Sequence, residues 1–183
     1  LIHTLDNSIE ELYVKKSLHF FNKLYSNSEK NLKIVFTSLH GTSYKLIPKL
    51  LKKTGFSELK LVDKQMIPDG NFTHAKSSNP EEKLALIDAI EIAKKNNSDL
   101  VIGTDPDADR FGIVVKDFNG DFIQINGNQS MIVLTDFLLS RLQYEKTKSF
   151  IASTVVSTPM MQKIADKNKV KLILSLTGFK WIG

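Results

Sequence analysis

The stretch Asp105–Arg110 constrains the fold of this chain more than any other. Three aspartates alternate in it with a proline and an alanine, and an arginine follows at once. A packed interior would not tolerate three unpaired carboxylates so close together, because each buried unpaired charge costs several kcal/mol. Apolar, strand-like runs lie on both sides, at 100–103 and 111–115. We therefore expect a loop at the end of a buried strand, which is either fully solvated or held together by a cation.

Helical and strand-like segments alternate along the rest of the chain. The turn dipeptide Asn119-Gly120 predicts a hairpin between two of the strands. The predicted elements are a helix from the capping box Ser8–Glu11 to Tyr25, strand 32–36, helix 44–53, strand 59–62, helix 79–95 capped by Asn79 with Pro80 at its first position, strand 100–103, hairpin 111–116 and 122–125, helix 129–142, strand 150–156, a helix opened by Thr158 and Pro159 that buries Met160, Met161, Ile164 and Ala165, and strand 170–174.

This order of elements predicts an α/β fold, because alternating helices and strands form parallel sheets covered by helices. We expect two successive three-layer α/β/α units with mostly parallel mixed sheets. Gly127 and Asn128 mark the expected boundary, so the predicted domains are 1–127 and 128–183. In such folds ligands bind at the carboxyl ends of strands, and the polar segments 37–43, 105–110 and 175–180 all follow predicted strands.

Composition excludes several classes of function. The chain has no cysteine, which rules out disulfides, zinc–thiolate sites and cysteine nucleophiles and fits a cytoplasmic protein. It has no run of about 18 apolar residues, so we expect no membrane partner. The net charge is +5, but the lysines are scattered without interleaved aromatics, so we expect no nucleic acid partner. A basic excess of this kind suits anionic small molecules such as phosphate esters.

Two metal ions are candidates for the aspartate stretch. A calcium-binding EF-hand also begins with alternating aspartates, but it needs glycine at its sixth position, where Arg110 stands, and glutamate at its twelfth, where Lys116 stands. Mg²⁺ fits better, because it takes hard oxygen ligands and keeps positions for water and phosphate. Arg110 could then donate two hydrogen bonds to a phosphate. An acidic surface turn closed by an ion pair is the alternative.

The same residues resemble the metal-binding loop of the α-D-phosphohexomutases, the phosphoglucomutase and phosphomannomutase family. Residues 39–42 resemble the family's His-Gly turn, and residues 79–82 its helix start upstream of the metal loop. Residues 127–129 resemble the junction between its second and third domains, and residues 177–180 a third-domain loop that faces the sugar phosphate. The form of the metal loop most resembles the branch that includes phosphopentomutases and some bacterial phosphoglucomutases.

The resemblance implies a two-step phosphoryl transfer within a sugar phosphate, of the hexose or pentose 1-/6-phosphate class, through a phosphoserine. Arg110 would contact the phosphoryl oxygens. The Mg²⁺ ligands would be Asp105, Asp107 and Asp109, and the substrate-binding residues would be Thr177, Gly178 and Lys180.

The resemblance also implies that the chain is a central fragment. It would comprise domain II and most of domain III, without domains I and IV of the parent chain. The family's phosphoserine loop lies in domain I, so we expect the fragment alone to be inactive. The chain starts without an initiator Met and stops inside a predicted loop, which favours the same interpretation.

Several alternatives stay open at this point. His40 could orient the neighbouring loop or could be a structural turn residue. Ser78 precedes Asn79-Pro80 as in a phosphoserine loop, but its position suits a helix cap better. For the function, the alternatives are a phosphopentomutase of the same family and a non-enzymatic metal- or phosphate-binding module.

Overall fold

The computed structural model describes residues 6–25, 30–141 and 148–182. Short 3₁₀ turns lie at Thr42–Tyr44, Asp63–Gln65 and Phe179–Trp181. In chain order the helices and strands are α1 (Asn7–Leu24), β1 (Ile34–Thr37), α2 (Leu46–Lys53), β2 (Leu59–Leu61), α3 (Ile87–Lys95), β3 (Leu100–Thr104), β4 (Phe111–Lys116), β5 (Phe122–Ile125), α4 (Gly127–Arg141), β6 (Phe150–Thr154), α5 (Met160–Asn168) and β7 (Lys171–Ser175). Within the described ranges, no helix has both the length and the apolar character needed to cross a lipid bilayer.

The chain forms two compact units, one up to Ile125 and one from Asn126 onward. The first contains a five-stranded sheet in the order β2-β1-β3-β4-β5, and the second a two-stranded parallel sheet of β6 and β7. In the first sheet β1 lies parallel to β2 and β3, whereas β4 and β5 add in antiparallel fashion. The predicted α/β fold with mixed sheets is therefore confirmed. The domain boundary at Gly127 stays a proposal.

The core of the first unit lies around the two central strands, β1 and β3. Val35 and Val101 are fully buried there, and Leu86 packs in the same cluster. Burial continues to the last residue of each strand, since Thr37 is fully buried and Thr104 is 7% exposed. The polar loops that follow β1 and β3 therefore begin at buried residues whose positions are held by the core.

One predicted helix start is wrong. The sequence favours a helix over 79–95, but α3 begins only at Ile87. Pro80 is buried against the hairpin, where its carbonyl oxygen would lie 2.1 Å from a Cβ at Gly112 and accepts a hydrogen bond from Gln124 Nε2 at 3.0 Å. This tertiary contact fixes the segment before α3 in turns, although its local sequence favours a helix.

Two smaller predictions at helix starts are also wrong. The cap of α1 is Asp6, whose Oδ1 accepts the Ser8 N–H at 2.9 Å, and not Ser8 itself. Met160 in α5 is 49% exposed, whereas Met161, Ile164 and Ala165 are buried as predicted. The predicted end of α4 at Leu142 lies outside the described residues.

Candidate metal centre

The aspartate stretch forms the connection between β3 and β4. These strands pair antiparallel up to Thr104 and Phe111, so the connection is a closed loop at the carboxyl end of a buried strand. Asp105 N–H donates to Arg110 O at 3.2 Å, and Ala108 N–H donates to Asp105 O at 3.1 Å. Ala108 has a φ of 62°, in the left-handed region, which lets the chain reverse direction within the loop. We call residues 105–110 the carboxylate loop.

The three carboxylates of this loop converge. One oxygen each of Asp105, Asp107 and Asp109 lies within 4.8 Å of the others. Asp105 is buried at 1% exposure, whereas Asp107 and Asp109 are exposed. Two exposed carboxylates thus stand beside a buried one, which leaves an open side for a ligand.

Arg110 holds the buried carboxylate from two directions. Its backbone N–H donates to Asp105 Oδ1 at 3.0 Å, and its Nε–H donates to Asp105 Oδ2 at 2.9 Å. The distance from its Nε to Asp109 Oδ1 is longer, at 3.6 Å. The Arg110 side chain stays 56% exposed, so part of the guanidinium faces solvent.

The electrostatics of the loop follow from these distances. Burial raises the pKa of the Asp105 carboxyl, but the hydrogen bonds from the backbone and side chain of Arg110 outweigh it and hold this pKa below its ordinary value. The pKa of Asp109 is raised, first by its hydrogen bond with Asp105 and then by desolvation and the nearby negative charges. The pKa of Arg110 is raised by the hydrogen bond and charge of Asp105. Three carboxylates therefore share one guanidinium.

This donor set fits a hard divalent cation. Carboxylate oxygens are the ligands that Mg²⁺ prefers, and Mg²⁺ needs only one or two protein carboxylates beside water and phosphate. A cation at the open side would relieve the repulsion that raises the pKa of Asp109. The residues present are thus chemically suited to Mg²⁺.

The turn after β1 packs directly on the carboxylate loop. Thr42 donates twice to Pro106 O, from its N–H at 2.8 Å and from Oγ1 at 3.2 Å. Gly41 lies so close that a Cβ there would be 2.4 Å from Pro106 Cα. Below them, the Ser43 and Thr104 hydroxyls share a buried hydrogen bond of 2.6 Å. The sequence marked this turn as a second polar strand end, and the structure brings it against the first.

His40 is buried at 5% exposure in the same turn. Its Nδ1 lies 2.7 Å from Ile67 O, and its Nε2 accepts the His74 N–H at 3.1 Å. Because the backbone N–H must be the donor to Nε2, Nδ1 carries the proton. His40 is thus a buried turn residue whose ring bonds to the loop at 63–78, and whether it orients a loop stays a prediction.

An open cavity of about 460 Å³ lies beside this turn. Its lining is mostly apolar or aromatic and includes Tyr44, Pro68, Phe72 and Pro106. A larger cavity of about 600 Å³ lies between α1 and α2 and is lined by residues of those helices alone. Only the smaller cavity shares a residue with the carboxylate loop.

The third polar strand end belongs to the second unit. Thr177, Gly178 and Lys180 follow β7 and are all exposed. Gly178 has a φ of 123°, its carbonyl accepts the Trp181 N–H at 3.0 Å, and the Lys180 Nζ lies 5.3 Å from the centre of the Trp181 ring. Their role toward a substrate stays a prediction. Ser78 is half-buried, in the turns ahead of α3.

The contact partners of the carboxylate loop could not be predicted from the sequence. The polar segment 37–43 was predicted to lie at a strand end, but its contact with the carboxylate loop was not, because the need for glycine at Gly41 comes from a close approach between two loops distant in sequence. The small polar residues in the turn after β1 were the available signal, because glycine and threonine allow close backbone approach and donation to a carbonyl.

Two models of one protein family match the chain. The model for phosphoglucomutase/phosphomannomutase, alpha/beta/alpha domain II, matches residues 11–120, and the model for domain III matches residues 126–183. A curated phosphoglucomutase from Staphylococcus aureus (strain N315) is 39% identical over 181 residues, which cover 99% of this chain and 32% of the relative. The chain thus spans about a third of the length of that relative.

Solved structures share the fold at lower identity. A phosphoglucomutase/phosphomannomutase family protein from Burkholderia thailandensis superposes with a TM-score of 0.71 at 21% identity, over 95% of this chain and 34% of the other. An N-acetylphosphoglucosamine mutase from Aspergillus fumigatus, in complex with GlcNAc-6P and magnesium, superposes with a TM-score of 0.63 at 17% identity, over 94% of this chain and 36% of the other.

Proposed function

The chain belongs to the phosphoglucomutase/phosphomannomutase family, and from that premise we propose that it is the central part of a magnesium-dependent phosphosugar mutase. The reaction would move a phosphoryl group within a sugar phosphate through a phosphoserine. The convergence of three aspartate oxygens within 4.8 Å, beside Arg110 and at the carboxyl end of β3, is the observation that carries the proposal. Because the chain spans 32% of the curated phosphoglucomutase, we place the phosphoserine in a part of the enzyme outside this chain.

In this proposal Asp105, Asp107 and Asp109 hold Mg²⁺. The ion supplies electrostatic stabilisation for the charge that develops on the transferred phosphoryl group. The magnesium and GlcNAc-6P bound to the Aspergillus fumigatus mutase support both the ion and the class of substrate. The buried Asp105 would anchor the site, and its two exposed neighbours would complete it.

Arg110 has two tasks in the same proposal. Its Nε–H is committed to Asp105, which keeps that carboxylate ionised and in place. The exposed remainder of the guanidinium provides donors for phosphoryl oxygens, for which a planar guanidinium is well suited. Charge on the carboxylate and charge on the phosphoryl group would thus be compensated by one side chain.

We place the sugar phosphate against Thr177, Gly178 and Lys180 of the second unit, where an exposed ammonium and an exposed loop could contact it. The chain alone, without a phosphoserine, should show no mutase activity. A cytoplasmic location fits the absence of cysteine and a sugar phosphate substrate.

Calorimetric titration of the chain with MgCl₂ tests the metal site. We expect Asp107→Asn to weaken binding at least about ten-fold, because it removes one charged ligand. Asp121→Asn is the matched control, since it removes one exposed carboxylate from the turn between β4 and β5 and should leave binding unchanged. Identical isotherms for the wild type and Asp107→Asn would overturn the assignment of the site.

An activity assay tests the reaction itself. The longer protein that we propose to contain this chain should convert glucose 1-phosphate or mannose 1-phosphate to the 6-phosphate. Turnover of ribose 1-phosphate alone would identify a phosphopentomutase instead. Mg²⁺ binding without turnover of any of the three substrates would favour a non-enzymatic metal- or phosphate-binding module.

A further inference from the structure

We propose that the turn His40–Thr42 is a positioning device for the carboxylate loop, and that it transmits the geometry of the loop at 63–78 to the metal ligands. The inference rests on the proposed function, because the carboxylate loop is the proposed Mg²⁺ site. It concerns residues that bind neither metal nor substrate in that proposal. Each acts through its neighbours.

On the side of the carboxylate loop, the turn contacts Pro106. This residue lies between two of the three carboxylates, so the direction of its carbonyl fixes the backbone on which both are carried. Thr42 donates to that one oxygen from its N–H at 2.8 Å and from Oγ1 at 3.2 Å. Gly41 permits the approach, because any side chain there would meet the backbone of Pro106 at 2.4 Å. The carbonyl is therefore held by two donors from a single residue.

The far side of the device is His40, whose four polar groups all bond to residues 65–74. Its backbone N–H donates to Gln65 O at 2.7 Å, and its backbone O accepts from the Asp69 N–H at 3.4 Å. Its ring Nδ1–H donates to Ile67 O at 2.7 Å, and its ring Nε2 accepts from the His74 N–H at 3.1 Å. His40 thus connects the turn to four residues of one loop.

The backbone of the turn shows that these contacts hold it. Leu39 has a φ of 46° and His40 a φ of 64°, so two successive residues other than glycine occupy the left-handed region. Residues with side chains occupy this region only where surrounding contacts over-determine the conformation. The contacts of His40 on one side and of Thr42 on the other contribute to holding it. Loss of the contacts of either residue should therefore let the turn relax and move Pro106.

A purely structural role would make a different prediction. If the turn only stabilised the fold, its variants would lower the stability of the whole unit and change all amides alike. A positioning role adds a local effect at the carboxylate loop. The reporters are the Ala108 and Arg110 amides, which donate to Asp105 O and Oδ1 and belong to the loop itself.

Amide hydrogen exchange of the metal-free chain tests this difference. Thr42→Val keeps the shape of an exposed side chain and removes only the Oγ1 donor, so the fold should persist. We expect exchange at Ala108 and Arg110 to be about five-fold faster, the factor that one ordinary hydrogen bond corresponds to at 25 °C. Thr54→Val is the control, because its Oγ1 donates to carbonyls at the end of α2, and the two loop amides should not respond to it. Unchanged exchange at both amides in Thr42→Val would overturn the proposal.

Mg²⁺ titration adds a second readout with a conservative rescue. His40→Ala removes both ring contacts, and we expect Mg²⁺ affinity to fall about ten-fold. His40→Asn keeps a donor near the position of Nδ1, so the loss should be about three-fold. Equal losses for the two variants, or none, would contradict a role carried by the ring hydrogen bonds.

Failure of this inference and failure of the proposed function give different results. If the wild type binds no Mg²⁺, the proposed function fails, and exchange at Ala108 and Arg110 still decides whether the turn positions the loop. If Asp107→Asn abolishes Mg²⁺ binding while His40→Ala and Thr42→Val change neither affinity nor exchange, the metal site stands and the positioning role fails alone.

Discussion

Two strand-end loops, one in each compact unit, are built differently. The carboxylate loop follows Thr104, which is 7% exposed, and is anchored by the buried Asp105 and by contacts from the turn after β1. The loop 177–180 follows a strand whose Leu174 is 58% exposed, and its Gly178 O accepts a hydrogen bond from the nearby Trp181 N–H. The first loop is preorganised within its own unit, whereas we expect the second to take its final form only against a ligand or another part of the proposed longer protein.

The units around the two loops differ in the same way. The first unit surrounds its loop with a buried cluster that includes Val35, Leu86 and Val101. In the second unit α4 has no buried residue, and Val133 and Val156 are 64% and 74% exposed. The proposed metal site thus lies on a closed core, whereas the proposed substrate loop lies on an open one.

Among the variants, Gly41→Ala should cause the largest loss of stability. The new methyl group would meet the Pro106 backbone at 2.4 Å, so one of the two loops must move, and we expect a loss of about 3 kcal/mol in the free energy of unfolding. Urea denaturation followed by far-UV circular dichroism measures it. Gly70→Ala is the control, because a Cβ there has no atom within 4 Å, and its change should stay within about 0.5 kcal/mol. Equal values for the two variants would mean that the loops are not in tight contact.

Asp105→Ala should cause the second-largest loss, about 2 kcal/mol in the free energy of unfolding. It leaves the Arg110 N–H and Nε–H without their buried acceptor. Asp107→Ala, at an exposed position of the same loop, should change stability by less than about 0.5 kcal/mol without metal. Thermal unfolding of both variants in EDTA separates anchoring from metal binding. If Asp107→Ala cost as much as Asp105→Ala, the buried carboxylate would not be the anchor.

Gly178→Ala probes the second loop and should cost about 1 kcal/mol, from backbone strain alone. Gly178 has a φ of 123°, but a Cβ there would meet Trp181 Cδ1 only at an ordinary 3.6 Å. Fluorescence of Trp181, the only tryptophan of the chain, reports unfolding of this unit. Thr177→Ala, at the neighbouring exposed position, should leave the transition unchanged. A loss from Gly178→Ala as large as that from Gly41→Ala would show that the second loop is also tightly packed.

The smallest expected effect is the pH dependence of the loop at 63–78, to which His40 bonds. Hydrogen bonds from Thr73 and Asn71 lower the pKa of Asp69 from 3.8 to about 2. A lowered pKa means that the stabilisation is complete above the unfolded value of 3.8 and disappears as the pH falls toward about 2. We expect the Asn71 and Thr73 amide signals to titrate over that range in NMR spectra, and Asp69→Asn to abolish the titration. A midpoint near the ordinary value would show that these hydrogen bonds do not persist in solution.

Much of the fold could be predicted because its signals are local. The turn dipeptide Asn119-Gly120 marked the hairpin of β4 and β5, and apolar runs marked the strands. The start of α3 failed because it depends on a distant contact. Asn79 does accept from the Glu81 N–H at 3.1 Å, as in a helix cap, yet the buried Pro80 holds the chain in turns against Gly112. A local cap cannot reveal a partner on another strand.

In the candidate site, too, local features could be predicted from the sequence and distant contacts could not. The three aspartates and Arg110 are adjacent in sequence, so their chemistry could be predicted directly. The contacts that hold them come from residues more than 60 positions away, such as Thr42 Oγ1 to Pro106 O, with a separation of 64. The left-handed backbone of Leu39 could not be predicted from its side-chain type, and histidine at position 40, although enriched in this region, does not require it.

Paramagnetic broadening by Mn²⁺ tests the central claim, a preorganised cation site in the carboxylate loop, most directly. Mn²⁺ prefers the same oxygen ligands as Mg²⁺ and broadens NMR signals near its binding site. We predict that substoichiometric Mn²⁺ broadens the amides of residues 105–110 and of Thr42 first, that excess Mg²⁺ restores them, and that Asp107→Asn prevents the effect. Broadening that centres on other acidic residues, or that persists unchanged in Asp107→Asn, would contradict it.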